Sequence, residues 1–171
     1  MVMAVMIAFA RVADAAEPGQ LPTIRLQMDN DADVPAIILN KSQDKVARIF
    51  ADAGRGVEWT ETEPTFSVQI VARALGYGRA SSTVMGVALR GATAQIFFNQ
   101  VQDFARTCHV EVATLLAYVM AHEVGHLLLP RMPHSLTGLM KADWDTAMVR
   151  EAAVGSLTFT GAQIKRILAY R

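Results

Sequence analysis

The segment from Val110 to Leu129 constrains the fold of this chain more than any other stretch. It is apolar nearly all round, a pattern expected for a helix that is buried in the centre of a domain. Its second half carries three polar side chains, His122, Glu123 and His126. Residues four apart on a helix lie about 40° apart around the axis and roughly one turn apart along it, so both imidazole rings can reach one point. The fold must therefore enclose this helix and provide partners for its polar residues.

His122, Glu123 and His126 have the H-E-x-x-H spacing of a zinc site. In this pattern the two histidines bind Zn2+, and the Glu is the general base of a hydrolase. Burying three such groups in an apolar helix is costly unless they have partners, and one zinc ion would provide for all of them. The alternative is a pair of core histidines that are hydrogen-bonded to backbone groups. For His, Glu and His in this register, we expect the zinc site.

The sequence after the helix bears on the third protein ligand that a catalytic zinc ion needs, besides an open position for water. Pro130 and Pro133 end the helix within a few residues of His126, so the chain can fold back over the metal. His134 follows His126 by eight residues, which is ample reach at about 3.3 Å per residue. We expect His134 to be the third ligand. The competing assignment uses a later carboxylate, with His134 as the stabiliser of the transition state; the candidates are Asp143, Asp145 and Glu151.

Two further residues of ligand type, Cys108 and His109, are not expected to bind this metal. Cys108 is the single cysteine, which excludes both a disulfide framework and a multi-cysteine zinc site. His109 precedes His122 by thirteen residues and would lie about 220° around the helix from it, so it cannot share the site. We expect His109 to be a capping or surface residue.

Length and composition favour one globular domain without nucleic acid as a partner. The chain has 171 residues, of which 52% are hydrophobic and 19% charged, so it can bury a substantial core. Its 16 basic and 16 acidic residues leave no net field to attract nucleic acid or an anionic membrane. We expect a single domain over residues 17–171.

Residues 1–16, at the N-terminus, are predicted to be separate from this domain. The apolar run MVMAVMIAFA is too short to span a bilayer, so we expect no stable membrane insertion. Together with the A-x-A-like Ala13-Asp14-Ala15, it is similar to the end of a secretory signal, although a positively charged start is missing. This predicts a signal-peptide remnant and a secreted or periplasmic protein; the alternative is a buried first strand or helix in a cytoplasmic one.

Hydrophobic periodicity outlines the remaining elements. Alternating residues predict strands at 23–28, 57–60 and 66–74, and a helical pattern fills the second half of 37–53, with Ser42 as a possible N-cap. A mobile loop is expected at 75–83. Segments 84–90 and 93–101 are either a hairpin or two successive strands, with Phe97 and Phe98 in the core on either face of the sheet. Thr160 and Gln163 form a capping box for a last helix.

The run from His122 to Met140, HEVGHLLLPRMPHSLTGLM, resembles the metzincin branch of the zincin metallopeptidases. Members of that branch have a metal-binding helix, a loop that brings a third His, and a later turn with a Met beneath the metal. The resemblance implies these site residues: zinc ligands at His122, His126 and His134, a general base at Glu123, and a Met-turn at Met140. It also implies an α+β, zincin-like fold, in which a small mixed twisted sheet packs on a buried active-site helix and a C-terminal helix follows the Met-turn.

The sequence departs from the metzincin pattern in the loop. That pattern has a Gly three residues and a His six residues after the second ligand, whereas this chain has Leu129 and Met132 there. Pro130 and Pro133 can end the helix where the Gly would. This difference affects the predicted path of the chain between the end of the helix and His134.

The function that these residues imply is zinc-dependent hydrolysis of peptide bonds. A peptide substrate would lie extended along the sheet edge supplied by 84–101, because backbone pairing gives affinity with little sequence demand. Two alternatives use the same residues differently: a zinc protein that hydrolyses another amide or holds zinc structurally, and a non-enzymatic interaction module. The sequence marks no specificity pocket.

Overall fold

The computed structural model describes residues 21–74, 84–130 and 134–170. The predicted signal remnant at 1–16 and the predicted loop at 75–83 lie outside these residues. No helix within the described ranges is long and apolar enough to cross a membrane. The elements, in chain order, are β1 (Thr23–Asn30), α1 (Ala36–Asp52), β2 (Gly56–Trp59), β3 (Phe66–Val71), β4 (Gly86–Ala88), β5 (Thr93–Phe97), α2 (Phe98–Cys108), α3 (Val112–Leu128), α4 (Thr146–Val154) and α5 (Gly161–Ala169).

The strands form one mixed sheet in the order β2-β1-β3-β5-β4. The pairs β1–β2, β1–β3 and β3–β5 are parallel, and β4 is antiparallel to β5 at one edge. The predicted strands at 23–28, 57–60 and 66–74 are therefore confirmed, with shifted ends, and 84–101 contains the hairpin. The α+β fold class with a small mixed sheet is confirmed.

Helix α3 lies in the centre of the molecule, as its composition predicts. Fourteen of its seventeen residues are buried, and it packs against α1, α2, β4 and β5. The sheet presents alternate residues to this core: Ile24 and Leu26 of β1 are almost fully buried, as are Val68 and Ile70 of β3. This arrangement encloses the polar residues of α3 on most sides and places β4 beside them.

The interpretation of Ser42 as an N-cap is wrong. Helix α1 begins at Ala36, after Pro35, so Ser42 lies in its second turn and is buried. The Ser42 Oγ lies 2.8 Å from the Ile38 carbonyl and 3.0 Å from the carbonyl of Ala113, so the hydroxyl joins α1 to the start of α3. Serine side chains bond to backbone groups both at caps and within helices, and the sequence alone did not distinguish the two.

The predicted strand at 93–101 ends at Phe97, and α2 begins at Phe98. Phe97 and Phe98 are both buried, but Phe98 packs from the helix and not from a face of the sheet. The buried residues of α2 recur at helical spacing, at Phe98, Val101, Ala105 and Cys108. This helical spacing is visible in the sequence. The strand prediction missed it because residues typical of β-strands come directly before it.

His109 is a capping residue, but of α2 and not of α3. It ends α2 in the left-handed conformation with φ of 56° and is exposed. The predicted capping box is confirmed: the Thr160 hydroxyl accepts from the Gln163 backbone N–H, and the Gln163 side chain accepts from the Thr160 N–H. It begins α5, the predicted last helix.

Candidate active site

The last two turns of α3 bring His122, Glu123 and His126 to the wall of a cleft. His122 and Glu123 are 6% and 7% exposed, and His126 is half-buried. The helix ends at Leu128, two residues before Pro130, which cannot continue it. His134 lies against this end of the helix, beside His126.

The ring nitrogens of the three histidines converge. Nε2 of His126 lies 3.1 Å from Nε2 of His122 and 3.1 Å from Nε2 of His134. One nitrogen from each ring lies within 4.8 Å of the others, and within the described ranges no cysteine or carboxylate joins this group. The three histidines therefore present three nitrogen donors to one small volume.

Hydrogen bonds between the rings do not explain these short distances. A ring nitrogen of a neutral imidazole has a single position in the ring plane, which is either one N–H or one lone pair. Nε2 of His126 is close to two other nitrogens at once, so at most one of the contacts can be such a bond. The arrangement suits a cation that accepts a lone pair from each ring.

A hydrogen bond fixes the ring of His122 in the form that binds a metal. Its Nδ1–H donates to the carbonyl of Leu139 at 2.8 Å, so Nε2 keeps its lone pair and faces the other histidines. Ligating histidines commonly donate their second nitrogen in this way. Burial lowers the pKa of His122 to about 4. The hydrogen bond to the Leu139 carbonyl acts in the opposite direction and raises the pKa.

His126 is also held in its neutral form. Burial lowers its pKa to about 4, and the nearby His134 ring adds to this effect. Because only an unprotonated imidazole binds a metal ion, both helix histidines are ready to bind one at neutral pH.

Glu123 lies beside the histidines and against strand β4. Burial raises the pKa of its carboxyl group to about 8, and the backbone N–H of Ala88 opposes this rise by donating to the carboxylate. A Cβ atom on Gly86 would lie 2.8 Å from Cγ of Glu123 and 3.0 Å from its Oε1. The edge strand thus holds the carboxylate through a backbone donor. Gly86 leaves room for the Glu123 side chain because it has no side chain of its own.

Two cavities flank Glu123 and His134 along β4. One has a volume of about 260 Å³ and lies between residues 84–86 and 142–144, with Val119 and His122 also in its wall. The other, of about 470 Å³, extends along 86–91 and past His126 to Pro130. Together they form a cleft on both sides of the three histidines.

The chain after His134 packs closely under the helix end. Leu139 and Met140 are almost completely buried. The N–H of Ser135 donates to the Met140 carbonyl at 2.9 Å, and the N–H of Leu139 donates to Thr158. A Cβ atom on Gly125 would lie 2.6 Å from Sδ of Met140. The segment that carries His134 is therefore fixed against α3 by direct contact.

The three carboxylates considered as third ligands have other positions. Asp145 caps α4, where it accepts from the Met148 N–H at 2.9 Å and binds Lys141 at 2.9 Å. Glu151 is exposed on α4. Asp143 lies in the wall of the smaller cavity. None of the three belongs to the group of convergent donor atoms in the described part of the chain.

Comparison with known proteins identifies the fold. No protein-family model and no curated protein sequence matches the chain. Among solved structures it is similar to archaemetzincin from Methanopyrus kandleri, with a TM-score of 0.60 and 13% identity over 86% of this chain and 95% of that one. It is also similar to a zinc-dependent peptidase from Methanocorpusculum labreanum, with a TM-score of 0.57 and 12% identity over 83% of this chain and 99% of that one. The chain has a metzincin-like zincin fold. At these identities the similarity concerns the fold alone.

Within the zincin fold, several residues that shape the site escaped the sequence analysis. Gly86 and Ala88 hold Glu123, the Leu139 carbonyl orients His122, and Gly125 makes room for Met140. A glycine inside a buried helix was the one available signal, since Gly costs about 1 kcal/mol relative to Ala there unless packing requires it. The other three act through backbone atoms or through packing, which a side-chain pattern does not reveal.

Proposed function

We propose that this protein is a zinc-dependent peptidase in which His122, His126 and His134 bind the metal. The observation that carries the proposal is the convergence of three imidazole nitrogens, with 3.1 Å between Nε2 of His126 and each of the other two. Zinc ligands at about 2.0–2.1 Å in a tetrahedral arrangement are about 3.3 Å apart, so the observed spacing fits. Three protein ligands also leave the fourth position open, as catalytic zinc sites do.

We propose Glu123 as the general base. When bound, zinc would polarise both a water molecule and the scissile carbonyl group. Beside a positive charge, the carboxylate form of Glu123 is favoured over the protonated form that burial alone would give. Glu123 then accepts the proton of the attacking water and donates it to the leaving amine. The Ala88 N–H keeps one carboxylate oxygen fixed during these transfers.

Strand β4 provides the edge for an extended peptide. Met85 accepts from the Phe97 N–H and Leu89 donates to the Thr93 carbonyl, so these residues bond towards β5. In an antiparallel pair such residues alternate with residues whose groups point away, which are Gly86 and Ala88; of these groups, the Ala88 N–H already donates to Glu123. A peptide that pairs with β4 would cross the cleft beside Glu123 and the three histidines. This supports a peptide substrate over another amide.

Met140 fits the role of a Met-turn residue. It follows the tight segment Gly138–Leu139 and packs on Gly125 of α3, one residue before His126. We propose that this contact fixes the position of the ligand-bearing helix relative to the segment that carries His134.

The test combines metal analysis with turnover. Protein purified with zinc should contain one zinc ion per chain and should cleave unstructured peptides such as casein fragments. Glu123→Gln should keep the zinc and lose at least about 100-fold in kcat, which is within the range for general-base catalysis. Stoichiometric zinc without peptide cleavage would leave a structural zinc site, or one for another amide. Absence of stoichiometric zinc would overturn the proposal.

A further inference from the structure

We propose that the smaller cavity of the cleft binds a lysine or arginine side chain of the peptide substrate and that Asp143 determines this preference. The proposal rests on the peptidase function proposed above and adds the class of substrate. We call this cavity the acidic pocket; Val84, Met85, Gly86, Val119, His122, Glu123, His134, Ala142, Asp143 and Trp144 line it.

The size and the walls of the acidic pocket suit one long side chain. Its volume of about 260 Å³ is just below the roughly 300 Å³ at which sites for whole small molecules begin. Val84, Met85, Val119 and Trp144 form an apolar part of its wall, beside the polar groups of His122, Glu123, His134 and Asp143. The methylene stem of Lys or Arg packs favourably along such walls while its charged head reaches a polar group at the end.

Asp143 supplies the charge for that head. It is exposed, and among the described residues its carboxylate has no hydrogen bond or ion pair. The nearby Lys141 does not neutralise it, because the Lys141 ammonium group binds Asp145 at 2.9 Å. Among the described residues, no Lys or Arg lines the pocket. The Trp144 ring in the wall also favours a cation that lies over its face.

The charge distinguishes this pocket from the larger cavity on the other side of Glu123. In the described part of the chain, the larger cavity has Arg90 in its lining, and its one acidic lining residue is Glu123, which both cavities share. Of the described lining residues, the Asp143 carboxylate therefore belongs to the acidic pocket alone, and the Arg90 guanidinium belongs to the larger cavity alone. A peptide with a basic residue would bind in the orientation that places this residue at Asp143.

The test uses otherwise identical fluorogenic peptides that carry Lys, norleucine or Glu at one position, placed in turn on each side of the cleaved bond. Norleucine keeps the apolar stem of Lys without its charge. The zinc-loaded protein should cleave the Lys peptide best at one of these positions, about two- to fivefold above norleucine in kcat/KM, as expected for a largely solvent-exposed ion pair. Added salt should reduce the difference, because exposed charges are screened.

Two variants assign the preference to Asp143. Asp143→Asn should make Lys and norleucine peptides equivalent, and Asp143→Lys should make the Glu peptide the better substrate. Asp44→Asn makes the same chemical change on the exposed face of α1 and should leave the preference intact. Circular dichroism and zinc content would show that each variant keeps its fold and metal.

A binding measurement separates this inference from the peptidase proposal. Fluorescence anisotropy with the zinc-loaded Glu123→Gln protein reports peptide affinity without turnover. Preferential binding of the Lys peptide that Asp143→Lys reverses supports the acidic pocket, even where the wild-type protein cleaves nothing. Cleavage or binding without a difference between Lys and norleucine would overturn the inference and leave the peptidase proposal standing. Failure to bind any of the peptides would overturn it as well.

Discussion

A Cβ atom on Gly125 would lie 2.6 Å from Sδ of Met140, so α3 and the segment after His134 meet where a methyl group has no room. The same atom would lie 3.1 Å from Cε1 of Phe159, which closes the other side. Gly125 lies directly before His126, and Met140 directly after Leu139, whose carbonyl orients His122. The contact therefore joins the two parts of the chain that carry the histidines.

We predict that Gly125→Ala destabilises the protein by about 1–3 kcal/mol, the usual cost of overpacking a core. In a helix without this contact, the same change would stabilise the protein by about 1 kcal/mol. The sign of the change in the free energy of unfolding therefore shows whether the contact is present. Chemical denaturation of the zinc-free protein gives the free energy of unfolding.

A double-mutant cycle with Met140→Ala tests the cause of that destabilisation. Removing the Met140 side chain makes room for the new methyl group, so the two changes together should cost less than their sum by about 1 kcal/mol or more. Additive effects would show that Gly125 is needed for another reason.

Gly86 is expected to matter for catalysis more than for stability. Gly86→Ala would place its Cβ within 3.0 Å of the Glu123 side chain and displace the carboxylate. A misplacement of this size lowers kcat by about 10- to 100-fold, with zinc retained. Steady-state kinetics give kcat, and metal analysis shows whether zinc is retained.

Gly161→Ala is the matched control for Gly86→Ala. A Cβ atom on Gly161 meets nothing within 4 Å, so kcat should stay at the wild-type value. Unchanged kcat in Gly86→Ala would show that β4 does not position Glu123.

His134 is expected to contribute more to zinc affinity than any of the later carboxylates. His134→Ala removes one of three donors and should weaken zinc binding by at least about 100-fold, since loss of an outer-shell partner alone costs about 10- to 100-fold. Asp143→Asn, Asp145→Asn and Glu151→Gln should each leave the affinity within about threefold of wild type. Competition with a chromogenic chelator gives the dissociation constants. A carboxylate variant that loses zinc while His134→Ala keeps it would reverse the assignment.

The zinc-free protein should be most stable near pH 6.5. His122 and His126 have pKa values of about 4 in the folded protein against 6.5 ordinarily, so the unfolded chain binds more protons below pH 6.5 and stability falls as the pH drops towards 4. Glu123 has a pKa of about 8 against 4.5, so the folded protein binds the extra proton, and stability falls as the pH rises towards 8. Melting temperatures in the presence of a chelator measure the profile.

Glu123→Gln isolates the alkaline part of this profile. The variant has no carboxyl group to ionise, so its stability should decline less than that of the wild type between pH 6.5 and 8. The acid decline, which comes from the histidines, should remain. Parallel profiles above pH 6.5 would show that Glu123 is not held protonated in the zinc-free protein.

Local patterns in the sequence determined the buried helix, its three polar residues and its end. The composition of 110–129 predicted a central helix, Pro130 stopped it, and the capping box at Thr160 began α5. Each of these signals acts over a few residues, through hydrogen bonds and periodicity within one element. The same local approach failed at Ser42 and at Phe98, where two local conformations were compatible with the sequence.

Only the tertiary structure decided how distant residues meet at the site. It placed β4 at the edge of the sheet against Glu123, brought Nε2 of His134 to 3.1 Å from Nε2 of His126, and put Met140 against Gly125. It also placed Asp143 at the wall of a pocket that the sequence did not mark. These contacts depend on the packing of the sheet, the helix and the returning chain, and their distances follow from the shape of that packing. The sequence by itself determined which groups are available for chemistry; the fold decided which of them face one another.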